Sequence, residues 1–246
     1  MRKKTCFELP PESVIFGRSR KMLRLQQDLK RASAAYLPIL LKGERGVGKN
    51  LLSRYIHSHL SANGDAYFRY SCPVMSSAAI DSLLLTIAGG HRSGAGDRCE
   101  GTSEMVSTVF LDEVGELVPE LQGRLLHGLA EIEEFSQKNR LRIICSATED
   151  LRQAVRMGKF RKELFYRFAV VIFEVPPLRC RLDDLSLIAT YLRDAYGRNF
   201  GITAQSFPTN LMKRMHDYHW PGNIRELKTF VRCNAVLARQ SSPGHA

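Results

Sequence analysis

No apolar run in these 246 residues approaches the roughly 18 needed for a membrane-spanning helix. No secretion signal is expected from the first residues either. Met1-Arg2-Lys3-Lys4-Thr5-Cys6 is basic, but it leads into Glu8 and Pro10, not into an apolar core. The six cysteines (Cys6, Cys72, Cys99, Cys145, Cys180, Cys233) form no C-x-x-C pair and have no histidine at zinc spacing. Neither a disulfide framework nor a structural zinc is expected, and the thiols read as reduced in a cytoplasmic protein. Acidic residues are scarce beside basic ones, 25 against 36, for a net charge of +11. That balance points to a polyanionic partner. The basic residues are spread over the whole chain, however, so charge alone does not make DNA that partner. The hydrophobic share of 44% suffices for a real core, and the length suits one large or two modest domains.

Residues 43–50 read Gly43-Glu44-Arg45-Gly46-Val47-Gly48-Lys49-Asn50, which is G-x-x-x-x-G-K with Asn in place of the usual Ser or Thr. The apolar run Leu37-Pro38-Ile39-Leu40-Leu41 precedes it. An amphipathic stretch with Leu51, Leu52, Tyr55, Ile56 and Leu60 on one face follows. Strand, glycine loop and helix in that order predict a phosphate-binding loop. Its glycines let backbone N–H groups turn inward around phosphates, and the helix N-terminus adds partial positive charge. Lys49 is placed to reach the β- and γ-phosphates, so a nucleoside triphosphate is the expected ligand.

Further along, apolar strands alternate with helical periodicity. Strands are predicted at 37–41, 66–70, 108–111, 141–147 and 170–175, with helices to about 60, near 77–88 and near 119–134. Residues 89–104, rich in Gly, Ser and charge, predict a loop. The alternation argues a three-layer α/β fold on a parallel sheet. Pro176-Pro177 breaks the pattern, and 183–199, 204–217 and 223–239 all read as helical. The expected organisation is an N-terminal arm at 1–13, an α/β domain at 14–176, a helical lid at 177–239 and a disordered tail at 240–246.

The strand at Thr108-Val109-Phe110-Leu111 ends in Asp112-Glu113. Acids at a strand's C-terminal end lie where ligands bind in open α/β sheets. Asp112 is therefore expected to hold Mg²⁺, directly or through water, and Glu113 to act as general base on the attacking water.

Beyond the phosphate loop and Phe110–Leu117, the stretches Phe160–Phe168, Pro176-Pro177-Leu178-Arg179 and Trp220–Leu227 complete an ordered set of motifs. Over residues 14 to about 238 the chain resembles the AAA+ ATPase domain of the bacterial enhancer-binding proteins, the activators of sigma-54 RNA polymerase. The resemblance implies a phosphate-loop NTPase fold with a helical lid, and ATP and Mg²⁺ as ligands. It matches Ile15-Phe16-Gly17, hence Ile15 and Gly17, to the segment near the adenine, and Thr148 to the first sensor. Arg225 matches the second sensor, and Arg161 and Arg167 match arginine fingers lent to a neighbouring subunit. Asn223 and Glu226 suggest a capping-box-like start to the last helix, with Arg225 in its first turn. A ring follows from the fingers: a hexamer of this chain, or a mixed ring with a related activator.

Two departures from the family pattern bear on function. The sigma-54-contacting loop, GAFTGA in the family, falls on Gly90-His91-Arg92-Ser93-Gly94-Ala95. Arg92 replaces an apolar Phe and cannot fill the same hydrophobic pocket. Ser71 stands where the family often has the Asn thought to restrain the catalytic Glu. The implied function is an ATP-hydrolysing ring that remodels the sigma-54 holoenzyme. The alternative is an ATP-binding module that has lost sigma-54 contact and acts through a partner activator or on another protein. The sequence shows no helix-turn-helix after the lid, so DNA contact is expected to be indirect.

Overall fold

Five parallel strands are built from the chain's most apolar segments: β1 (Ile39–Lys42), β2 (Ala66–Ser71), β3 (Ser107–Asp112), β4 (Leu141–Ala147) and β5 (Val171–Glu174). They lie in the order β2-β3-β4-β1-β5. This computed structural model describes residues 9–33, 37–60, 66–88, 107–135, 141–200 and 206–240. Its helices are α1 (Glu12–Phe16), α2 (Arg20–Ser33), α3 (Lys49–Leu60), α4 (Ser77–Ile87), α5 (Pro119–Phe135), α6 (Leu151–Arg156), α7 (Lys162–Phe168), α8 (Leu185–Phe200), α9 (Thr209–Asp217) and α10 (Asn223–Gln240). The chain forms two compact units. One takes residues 29–42 and 52–174; the other takes 1–28, 43–51 and 175–246.

The first unit holds the sheet. Leu40, Val109, Leu111, Cys145 and Ala147 face one side and pack with Ile80, Leu83, Leu125, Leu129, Leu164 and Phe168 in a single core. The alternate residues Ile39, Leu41, Phe110 and Ile144 are fully buried on the other side. There His57 of α3 meets Thr108 of β3, Nδ1 to Oγ1 at 3.0 Å. Both faces are thus covered, as parallel strands with near-continuous apolar runs require. Among the described residues, side-chain caps open α4 and α6. Ser76 accepts from the N–H of Ala79 ahead of α4, and Asp150 accepts from Arg152 and Gln153 ahead of α6.

Because the strands are parallel, their C-terminal ends share one edge. Ser71 lies opposite Asp112, and Lys42 lies opposite Ala147 and Glu174. At that edge Lys42 Nζ bonds Asp150 Oδ2 at 2.9 Å and lies 3.7 Å from Glu174. The Asp150 hydrogen bond raises the Lys42 pKa.

The second unit centres on Leu178, Leu185, Ile188, Ala189, Met215, Trp220, Leu227 and Val231 from α8, α9, α10, the turn at Leu178–Cys180 and the link between α9 and α10. Trp220 Nε1 donates to the Met215 carbonyl at 2.8 Å, which satisfies the buried indole.

The α/β class is as read from the sequence, with adjustments at the ends. The strand read at 37–41 starts at Ile39, since Leu37 and Pro38 lie outside β1. Likewise β5 is Val171–Glu174, one residue shorter at each end than the 170–175 reading. The arm placed at 1–13 already enters α1 at Glu12. The helix read at 204–217 starts at Thr209, immediately after Pro208. A proline lacks the N–H a helix interior needs but tolerates a helix start. Helices α6 and α7 were not anticipated. Among the described residues, no helix is long and apolar enough to cross a membrane.

Candidate functional site

The phosphate loop leaves β1 directly at Gly43, and α3 begins at Lys49. Gly46 has φ +84° and Gly48 has φ +110°, values that L side chains rarely adopt. A Cβ on Gly48 would meet nothing within 4 Å, so this turn faces open space. Val47 points inward, 2% exposed. Lys49 is 6% exposed, and its ammonium donates to the carbonyls of Gly43 at 2.6 Å and Glu44 at 3.3 Å. The lysine is thus held inside the loop, and Asn50 follows in the first turn of α3.

Residues from the C-terminal helices grip this loop. Glu44 forms a two-bond pair with Arg179, at 2.9 and 2.5 Å. Buried Asn223 donates through Nδ2 to Glu44 Oε2 and to the Arg45 carbonyl, both at 3.1 Å. Its Oδ1 accepts from the N–H of Leu178 at 2.8 Å. Buried Arg181 donates to the Val47 carbonyl at 2.7 Å. Burial pushes the Arg181 pKa down to about 10, with Asp184 pulling it back up, so it stays cationic at neutral pH. Exposed Arg225 stands beside Gly46, where an added Cβ would approach its own Cβ to 3.1 Å. Ile15 is buried in α1. Gly17 has φ +63°, and a side chain there would collide with Asp184. That carboxylate accepts from the N–H groups of Arg18 and Ser19 and from Ser19 Oγ.

In the sheet unit, Asp112 and Glu113 end β3 as read. Glu113 adopts a left-handed backbone, φ 59° and ψ 59°, which is uncommon for a residue with a Cβ. Fully buried Ser146 on β4 supports that turn. Its Oγ accepts from the Glu113 N–H at 2.9 Å and donates to Asp112 Oδ1 at 2.7 Å. The Glu113 carboxylate accepts from Thr148, from N–H at 2.8 Å and from Oγ1 at 2.9 Å. Burial, aided by the negative charges of Asp112 and Glu113, pushes the nearby Cys72 thiol up to about 12. Arg161 precedes α7, and its N–H donates to Gln122 Oε1 at 2.8 Å. Its guanidinium lies over Gly123 of α5. Arg167 sits in the last turn of α7.

Residues 15–174 match the family described as the sigma-54 interaction domain, and residues 179–243 match the AAA+ ATPase lid domain. The chain belongs to the sigma-54 interaction domain family. It is 32% identical over 237 residues to the anaerobic nitric oxide reductase transcription regulator NorR of Vibrio vulnificus, covering 93% of this chain and 46% of that protein. It is 33% identical to the DNA-binding transcriptional regulator NtrC of Azospirillum brasilense, covering 94% of this chain and 49% of NtrC. The chain therefore spans about half the length of these curated relatives. Among solved structures, NtrX from Brucella abortus in complex with ATP shares the fold, with a TM-score of 0.74 at 24% identity over 97% of this chain and 53% of that one.

In this sigma-54 interaction domain, two constellations of predicted residues take shape. Residues 43–49 and Arg225 come together around the loop, and Asp112, Glu113 and Thr148 come together at the strand ends. Gly90, His91, Arg92, Ser93, Gly94 and Ala95 lie outside the described residues. One expectation is corrected. Asn223 does not cap α10 with its side chain, which is committed to Leu178, Glu44 and Arg45 instead. The Glu226 carboxylate closes the helix start alone, accepting from the Gly222 N–H at 2.8 Å.

Sequence reading missed Ser146, Gln122, Arg69, Arg179 and Asn223 as organisers of the domain. Gln122 is 1% exposed and clamps the Leu117 and Lys159 carbonyls as well as the Arg161 N–H. A polar residue on a buried face was the available signal for Gln122 and Ser146.

The Glu44 pair makes a pH prediction. Hydrogen bonds from Arg179 first, and Asn223 second, hold the Glu44 carboxyl down at about 2, against an ordinary 4.5. A depressed folded-state pKa stabilises fully above the ordinary value and loses that effect as pH falls toward 2. The pair is about 40% exposed on each side, so solvent screening keeps its contribution small. Melting of wild type and Arg179→Ala is expected to differ slightly at pH 7, and the gap should close steadily below about pH 4.5. A gap that widens on acidification contradicts this assignment.

Proposed function

We propose that this domain binds ATP with Mg²⁺ and hydrolyses it as a ring-forming transcriptional regulator acting on the sigma-54 RNA polymerase holoenzyme. The observation that carries the nucleotide reading is the loop itself. A buried lysine is held by loop carbonyls beside an open glycine turn at a helix N-terminus. That combination of open glycine turn, helix dipole and ammonium suits a polyphosphate.

Asp112 fits a hard cation held partly through water, as a carboxylate oxygen does. When bound, that Mg²⁺ neutralises phosphate charge. Glu113 is the proposed base. Water attacks the γ-phosphorus and gives its proton to Glu113 while the bond to the β-phosphate oxygen breaks, releasing ADP and phosphate. Both Glu113 oxygens accept from Thr148, which orients the carboxylate and leaves a second lone pair on each oxygen for a water proton. Arg161 and Arg167 are proposed to act on the neighbouring subunit's nucleotide, and Arg225 to report ATP against ADP. Ile15 and Gly17 are proposed to line the base.

ATP turnover per subunit, measured against protein concentration, tests the ring. It is expected to rise about tenfold as subunits assemble, since each site borrows its arginines. A constant rate over a hundredfold range of concentration overturns trans-acting arginines.

Arg92 favours a second reading on sequence grounds: a regulatory module that assembles with a related activator without touching sigma-54. Open-complex formation by the wild-type chain on a sigma-54 promoter sinks that second reading. Hydrolysis without any engagement of sigma-54 sinks the first.

A further inference from the structure

Both oxygens of Asp112 are engaged inside the sheet unit. Oδ1 accepts from Ser146, and Oδ2 accepts from Arg69 Nη2 at 2.6 Å. Arg69 comes from β2, the edge strand. In register it lies opposite Phe110, while Ser71 lies opposite Asp112. Residues two apart on a strand share a face, so the long Arg69 side chain runs along the edge to reach the acid. Nearly half of the Arg69 side chain is exposed, against 17% for Asp112. The guanidinium therefore has solvent available to it and still rests on this carboxylate.

We propose that Arg69 is a built-in counter-ion that competes with the divalent cation for Asp112, and so sets the Mg²⁺ concentration at which the site fills. The inference rests on the ATP reading above. A cation held through Asp112 meets a carboxylate whose charge the Arg69 guanidinium already partly offsets, whichever oxygen it takes. The competition responds to salt, because a half-exposed ion pair is screened. Arg69 acts through Asp112 and is a positioning residue.

The test uses the full chain saturated with ADP and Mn²⁺ as the probe. Bound metal is read from loss of the free Mn²⁺ electron paramagnetic resonance signal, which requires no turnover. Arg69→Ala is expected to bind Mn²⁺ about fivefold more tightly than wild type at low salt, the ceiling for an exposed pair. The advantage should shrink in about 0.5 M KCl, where the Debye length is a few ångströms. Arg69→Lys keeps a cation within reach and should stay near wild type. An Arg69→Ala protein that binds Mn²⁺ no more tightly, or more weakly, overturns the inference. Equilibrium dialysis with ADP separates the two levels. If ADP fails to bind, the ATP reading falls and this inference with it. If ADP binds while Mn²⁺ affinity is unmoved, this inference alone falls.

Discussion

Lys49→Ala is expected to weaken ATP binding by about a hundredfold or more and to abolish measurable turnover. The lysine is almost fully buried, and its ammonium bridges two carbonyls of its own loop. Alanine removes the charge meant for the phosphates and also a tie that holds the loop in shape. Truncating one partner of a buried charge pair typically costs about 2–5 kcal/mol, and every 1.4 kcal/mol is about tenfold in affinity. Lys49→Arg is not expected to rescue binding, because a planar guanidinium cannot occupy the compact space of an ammonium. Titration calorimetry with ATP reads the affinity, and a thermal melt checks that the variant folds. Retained affinity within threefold of wild type removes the loop from the nucleotide assignment.

Glu113→Gln is expected to separate binding from chemistry. Turnover should fall by about 10²- to 10⁴-fold, the usual contribution of a general base, while ATP affinity stays within about threefold. The substitution preserves shape. The amide oxygen can still accept from the Thr148 N–H, and the new NH₂ can donate to Thr148 Oγ1 once that hydroxyl turns to accept. What is lost is the ability to take a proton. Single-turnover hydrolysis separates the two quantities. Equal hydrolysis by wild type and variant makes Glu113 a strand-end acid with no chemical role. The left-handed backbone at Glu113 already sets it apart from its neighbours on β3.

Local pattern carried much of this structure. The five strands and the helices from 49, 77 and 119 were readable because apolar periodicity and punctuation are local properties of the chain. The short helices α6 and α7, with six and seven residues, were not. Two turns give too few positions for a helical period to show, and their inner faces are settled by the sheet. The phosphate loop and the acids after Leu111 were legible because each is contiguous. Their supports were not. Asn223 reaches Glu44 across 179 positions of sequence, and Ser146 reaches Asp112 across 34. Nothing near Asn223 says that its amide will leave the helix it begins. Its expected capping role follows from local statistics, which the Glu44 carboxylate and the buried Leu178 N–H outbid. Gln122 likewise reads as one polar position on an amphipathic helix, although it anchors the backbone of Arg161.

Ser146 gives one oxygen atom two clients. Its hydroxyl accepts from the backbone of Glu113 and donates to the side chain of Asp112. In a drifting lineage, loss of the hydroxyl at codon 146 takes one support from each acid in a single step, while Arg69 still holds Asp112 and Thr148 still holds Glu113. A descendant of this chain can therefore keep Asp112 and Glu113 intact in its sequence and carry a lesion that touches both on the strand beside them.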